Sequence, residues 1–202
     1  MEKPAETSVP VADLIARRWS PRALDETAAV REEQVRAMLE AARWAASSGN
    51  TQPARYLVGF RGDDSYRKIL GSLTESNQRW AHRAGALLIA VMVTHNEKGD
   101  IPHAEYGLGL AGQNLVLEAV NQGLVAHQMG GFDRAVILRE FELPDDALPR
   151  VAIAVGSPAA PEVLGDDRSV SRETAARKRI PLSEFAFTGT WGTSAFQGRD
   201  VT

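Results

Sequence analysis

Residues 86–94, ALLIAVMVT, run for nine positions without a charged side chain. The run is of strand length and too continuous for a half-exposed strand, so it predicts a central strand with both faces covered. Even its longer form, AGALLIAVMV, is too short to span a bilayer. Residues 104–122 add a second constraint. They follow a helical pattern that is apolar on most sides through Leu108, Leu110, Leu115, Val116, Leu117 and Val120, which predicts a buried helix. The chain therefore folds in layers around a sheet. Its 202 residues, 44% hydrophobic and 24% charged, supply one sizeable core and suit one domain, with or without extensions.

The remaining pattern fills in around these two elements. Short helical periods are expected at 11–18 and 31–46, the second with Val35, Met38, Leu39, Ala42 and Ala46 on one face. RYLVGF at 55–60 reads as a strand and SYRKILGSL as a helix. LVAHQM at 124–129 reads as a strand, RAVILREF as a helix and RVAIAVG at 150–156 as a last core strand. After Pro158 the chain turns polar, and from Pro181 it carries several aromatics with no clear period. A tail rich in Phe and Trp is expected to bury itself on its own body or on a partner subunit.

Several chemistries are excluded. Cysteine is absent, which removes disulfides, thiolate nucleophiles and zinc–thiolate sites. The net charge of −3 and the lack of a long basic run argue against nucleic-acid binding. The N-terminus has no signal-peptide layout, so a soluble cytoplasmic protein is expected. The four histidines show no metal spacing, and no nucleophile elbow or phosphate-binding Walker loop is present. GLGLAG at 107–112 matches the dinucleotide fingerprint in letters only. That fingerprint needs its first glycine directly after a strand, whereas here the preceding strand ends about a dozen residues earlier. The glycines fall in a helical pattern, where each costs about 1 kcal/mol relative to alanine. Close helix–helix approach is the expected compensation.

What remains is a set of polar clusters at element ends: RRWSPR at 17–22, SSGNTQP at 47–53, SNQRW at 76–80, QMGGFD at 128–133 and RKRIPL at 177–182. Alone, a basic turn such as RRWSPR usually just faces water. Together the clusters supply what a phosphorylated, flat, polar-edged ligand requires. Arginine forks hold phosphate by bidentate bonds. Hydroxyls and amides serve ring edges and sugar-like hydroxyls, and a Gly-Gly pair lets backbone approach a planar ring.

Taken in order, RRWSPRAL, ARWAASSGNTQPARYLV, ESNQRWA, YGLGLAGQNLVLEAVNQGL, HQMGGFD, VAIAVGSP and RKRIPLSEF resemble the FMN-dependent nitroreductase family over about residues 11–187. The resemblance implies an α+β fold whose central sheet is mixed and mostly antiparallel, flanked by helices. It implies an entwined homodimer with two FMN sites at the interface. The chain is then one domain over residues 1–202, with its core at 11–187 and a C-terminal tail at 188–202.

By motif position the resemblance implies roles for particular residues. Arg18 and Ser20 reach the phosphate and ribityl end, with Trp19 between them at a position that varies in the family. Arg22 sits near the pyrimidine edge, where a fixed cation stabilises the charge of reduced flavin. Ser47, Ser48, Asn50 and Gln52 match a segment contributed by the second subunit. Asn77 lies beside the pyrimidine edge. Met129, Gly130 and Gly131 line the dimethylbenzene side and N5. Arg177 and Arg179 form a late basic pair that closes on the phosphate. Ala54 stands where many relatives have a large aromatic, Gly130 where many have glutamate, and Gly107 where aspartate is commoner. The implied activity is ping-pong hydride transfer from NAD(P)H through flavin N5 to a nitroaromatic, quinone or similar acceptor. No side chain is needed as acid or base, because the cofactor carries the chemistry. The alternatives are other flavin reactions on the same scaffold (dehalogenation, azoline oxidation, flavin fragmentation) or a flavin-binding protein without turnover.

Overall fold

The computed structural model describes residues 2–196. Residues 197–202 of the expected tail lie outside the described residues. Four strands form the main sheet: β1 (Ala54–Phe60), β2 (Ala86–Val93), β5 (Val125–Met129) and β6 (Ala147–Gly156), in the order β1-β2-β6-β5. Two-residue strands β3 (His95–Asn96) and β4 (Gly99–Asp100) make a separate small hairpin after β2.

The apolar run is β2, paired with β1 from Ala54↔Met92 to Phe60↔Ala86 and with β6 from Ala86↔Val155 to Val93↔Ala147. Its side chains alternate between two cores, which is why the run shows no polar face. Leu88, Ala90 and Met92 enter a core with Met38 of α2 (Glu32–Arg43) and Leu108 and Leu115 of α5 (Ala104–Asn121). Leu87, Ile89 and Val91 face the other core. There they meet Ile69 of α3 (Asp64–Ser72), Trp80 of α4 (Glu75–Ala81) and Ile137 of α6 (Arg134–Glu140). A short α1 (Asp13–Arg17) precedes this body and α7 (Asp167–Thr174) follows it.

Two expectations change. The sheet was expected to be mixed, but each of the three pairings among the described residues is antiparallel. β2 and β5 run in the same direction, joined across α5 as in a parallel crossover, but β6 lies between them and pairs antiparallel with both. The glycines of GLGLAG do lie inside α5, but within the chain the close approaches at Gly107 and Gly112 are to a loop and a strand rather than to another helix, and Gly109 meets nothing within 4 Å. A Cβ on Gly107 would come within 2.9 Å of the Pro53 ring, and one on Gly112 within 3.3 Å of the Gln128 side chain. The small residues let α5 approach the segment before β1 and the strand β5.

Candidate functional site

The basic turn begins where α1 ends: Arg18 is extended, at φ −60° and ψ 120°. Three side chains from distant parts of the chain fasten the turn. Glu173 of α7, only 2% exposed, accepts the backbone N–H groups of Arg22 at 2.8 Å and Ala23 at 3.0 Å through one oxygen. Arg177 donates to the carbonyls of Ala16 (2.8 Å), Arg18 (2.8 Å) and Lys3 (2.6 Å). His127 of β5 lies 3.0 Å through Nδ1 from the Pro21 carbonyl. Lys3 completes the knot, its ammonium 4.5 Å over the Trp19 ring and 2.6 Å from the Glu173 carbonyl.

This fastening holds like charges together. Arg18 donates to the Ser20 hydroxyl at 3.2 Å. Its guanidinium is pushed below its ordinary pKa by burial and by the charges of Arg177 and Arg179. Arg22 is lowered too, by burial and by Arg172, with Glu173 opposing. Among the described residues none of Arg18, Arg22, Arg177 and Arg179 belongs to a salt bridge. Arg18, Arg177 and Arg179 line a groove of about 1100 Å³. A half-buried cation such as Arg18, with no salt bridge and with like charges beside it, is costly unless an anion arrives, so the groove has the chemistry of a phosphate site. Arg177 has most of its donors on backbone carbonyls, which makes it first a clamp on the turn.

The end of β5 carries the second cluster. Met129 is buried and Gly130 exposed. The Gly131 carbonyl accepts the Thr74 N–H and the Asn77 amide, each at 3.0 Å. A Cβ on Gly131 would sit 2.7 Å from Asn77 Nδ2 and 2.9 Å from Thr74 Oγ1, whereas one on Gly130 would meet nothing within 4 Å. A side chain at 131 would therefore push the Asn77 amide and the Thr74 hydroxyl aside, whereas at 130 glycine leaves open space. His127, two residues before Met129, joins this cluster to the basic turn. Its ring packs against Trp80 of α4 at 4.6 Å, and α4 also carries Asn77. Burial pushes the imidazole down to about 4, against the opposing bond to Pro21 and with Arg22 and Arg18 lowering it further.

The third cluster stands apart. Residues 47–52 form a tight exposed turn in which Ser47 Oγ accepts the Gln52 N–H at 3.0 Å. Asn50 (φ 57°) and Gln52 (φ 49°) are left-handed, a strained conformation for side-chain-bearing residues. Ser47 and Gln52 border an apolar hollow of about 270 Å³ with Leu39, Pro53, Tyr56 and Gly107. Ser48 borders another with His103 and Tyr106. Neither hollow includes Arg18 or Arg177. The chain thus links Arg18, Ser20, Arg22, Asn77, Met129, Gly130, Gly131, Arg177 and Arg179 through β5 and its neighbours, and leaves Ser47, Ser48, Asn50 and Gln52 elsewhere.

Glu173, His127 and Gln113, which lines the groove with Arg18, were not singled out as site residues by the sequence. Glu173 sits in a polar stretch with no apolar period to mark it. Among the described residues no group of three or more His, Cys, Asp or Glu could hold a metal ion, and no helix is long and apolar enough to cross a membrane.

Comparison with known proteins places this geometry in context. A family model described as the nitroreductase family matches residues 15–157. An uncharacterized 15.4 kDa protein from the ask 5′ region of Mycolicibacterium smegmatis is 32% identical over 146 residues, covering 68% of this chain and 97% of that protein. A Streptomyces coelicolor protein, provisionally named an NADH dehydrogenase/NAD(P)H nitroreductase, is 31% identical over 145 residues, covering 60% of this chain and 70% of its own. A solved structure of an oxidoreductase containing FMN superposes with a TM-score of 0.86 at 30% identity, over 92% of this chain and 94% of that one.

Proposed function

This chain belongs to the nitroreductase family, and from that membership we propose that it is an FMN oxidoreductase drawing reducing equivalents from NAD(P)H and delivering them to a nitroaromatic, quinone or similar small acceptor. When bound, FMN supplies the hydride relay between donor and acceptor. The observation that carries the reading is the basic turn: half-buried Arg18 and Arg22, neither in a salt bridge among the described residues, held open by Glu173, Arg177 and His127.

The residues of the turn and of the β5 end fit the cofactor. Arg18, with Ser20 and Arg179 beside it, would hold the phosphate, while Arg177 keeps Arg18 in place by gripping its carbonyl. Arg22 would set a fixed positive charge that favours an electron-rich, reduced ring. Trp19, under the Lys3 ammonium, closes the outer side of the turn. The double hold on the Gly131 carbonyl orients residues 129–131, and without a side chain at 131 the backbone N–H can meet the ring. Asn77 donates to Gly131 and keeps its amide oxygen free to accept. The open space at Gly130 admits a flat acceptor over the ring.

Homodimerisation is part of the proposal. The strained turn bearing Ser48, Asn50 and Gln52 shares no hollow with Arg18, so a second protomer would bring it to the cofactor. Exposed apolar side chains on α1, α5 and the tail, Ile15, Tyr106 and Trp191 among them, give that protomer a surface to cover. The test is an absorption spectrum of the purified protein, repeated under nitrogen with NADPH and then NADH. Flavin bands that bleach establish the activity and name the donor. Bands that persist with both nucleotides overturn the donor assignment, and no bands after reconstitution overturn the cofactor.

A further inference from the structure

In the sequence His127 opens the HQMGGFD motif and shows no metal spacing. In the structure it is 9% exposed and touches both halves of the candidate site. A carbonyl cannot donate, so the 3.0 Å contact with Pro21 requires Nδ1 to carry the proton. Pro21 has no N–H of its own. Its carbonyl is the turn's attachment to β5, beside the backbone bonds that tie Ala23 and Asp25 to Ala159 and Ser157 after β6, while Glu173 grips the following N–H groups from α7. On its other side the ring lies 4.6 Å from Trp80, tilted by 44°. Trp80 is three residues after Asn77, a spacing that puts the two on neighbouring positions of the α4 surface. One side chain thus joins the turn that projects Arg18 and Arg22 to the helix whose Asn77 holds Gly131.

We propose that His127 is a positioning residue for the cofactor: its Nδ1–H on Pro21 fixes the backbone from which Arg18 and Arg22 project, and so sets the affinity for FMN, a ligand that rests on the function proposed above. It touches no reacting atom and is not catalytic. A merely structural histidine would matter for the volume and stacking of its ring. A positioning histidine matters for its donor. The two are separable. H127F keeps an aromatic ring against Trp80 and loses the donor. H127N keeps a donor close to the Nδ1 position and loses the ring.

The test uses the full chain as apo protein, wild type, H127F and H127N, with H127L as a second donor-less variant should H127F not fold. Two quantities are measured: amide hydrogen exchange at Ser20, Arg22 and Ala23 without ligand, and the Kd for FMN by flavin fluorescence titration. A buried carbonyl left without its donor frees the turn, and ordering it on binding raises the FMN Kd about tenfold. H127F should show that rise together with faster exchange at the three amides. H127N should stay within about threefold of wild type in both. The inference is overturned if H127F binds FMN as wild type does with the turn still protected, or if H127N is damaged as much as H127F. If the wild-type protein does not bind FMN, the proposed function fails, and the exchange comparison alone decides the role of His127.

Discussion

Replacing Glu173 with alanine should separate the turn from its strongest anchor. One carboxylate oxygen accepts two N–H groups, Arg22 at 2.8 Å and Ala23 at 3.0 Å. Ala23 is 2% exposed, so its N–H cannot turn to water instead. A hydrogen bond to a charged group contributes about 1.5–3 kcal/mol, and an orphaned buried donor carries a penalty of about 1–3 kcal/mol. Two such donors put the loss in Glu173→Ala at about 3–5 kcal/mol, a third or more of the stability of an ordinary domain. For a chain of this size that lowers Tm by roughly 10 °C. Glu173→Gln keeps an oxygen in the same place for both N–H groups and loses only the charge facing Arg22, so its Tm should fall by about 3 °C. Calorimetry of the apo proteins measures both, and FMN titration should show about a tenfold weaker Kd for the alanine variant alone. A Glu173→Ala protein that melts within about 2 °C of wild type would refute the reasoning. A glutamine variant as damaged as alanine would show that charge, not the paired acceptance, holds the turn.

Other outcomes follow from the same geometry. Arg18→Ala should raise the Kd for FMN by about 10- to 100-fold, the value of a partly buried charge-assisted phosphate contact. Exposed Arg179→Ala should change it by only about threefold, both read by fluorescence titration. Stability should depend on pH through His127, whose folded value of about 4 lies below the ordinary unfolded value of about 6.5. The unfolded chain therefore binds more protons between these values. The contribution of about 3 kcal/mol is complete above about pH 6.5 and lost as pH falls through about 4. Urea midpoints at pH 7 and 4.5 should differ accordingly, with a flatter profile in H127F. Gly131→Ala should lose about 1 kcal/mol, because its Cβ, 2.7 Å from Asn77 Nδ2, displaces that amide from the Gly131 carbonyl. Gly130→Ala should melt close to wild type, and equal melting of the two variants would contradict the steric argument.

The parts of the fold legible in the sequence are those whose side chains all serve burial. β2 and α5 showed themselves because both faces of one and most sides of the other are covered. α7 was not legible: in DRSVSRET the one buried residue is Glu173, and no apolar stripe marks a helix. α4 was read only as a polar cluster, because Trp80 and Ala81 are its only buried residues. The all-antiparallel sheet was hidden because it depends on β6 entering between β2 and β5, a choice made by chain segments far apart.

The site divides in the same way. Arg18, Ser20, Arg22 and the Gly-Gly pair were legible as residue types that suit a phosphorylated planar ligand. The groups that fasten them were not. Glu173 acts on backbone about 150 residues away and His127 on a carbonyl 106 residues away, with no local pattern to announce either. Arg177 was expected at the phosphate, and its grip on three carbonyls is visible only in the folded chain.

The central claim is that the basic turn is a phosphate site for FMN. The most direct measurement titrates the apo protein with FMN and, separately, with riboflavin, which differs only in lacking the phosphate. The account predicts that FMN binds about 100-fold tighter or more, and that Arg18→Ala removes most of the difference. Equal affinity for the two ligands would contradict it.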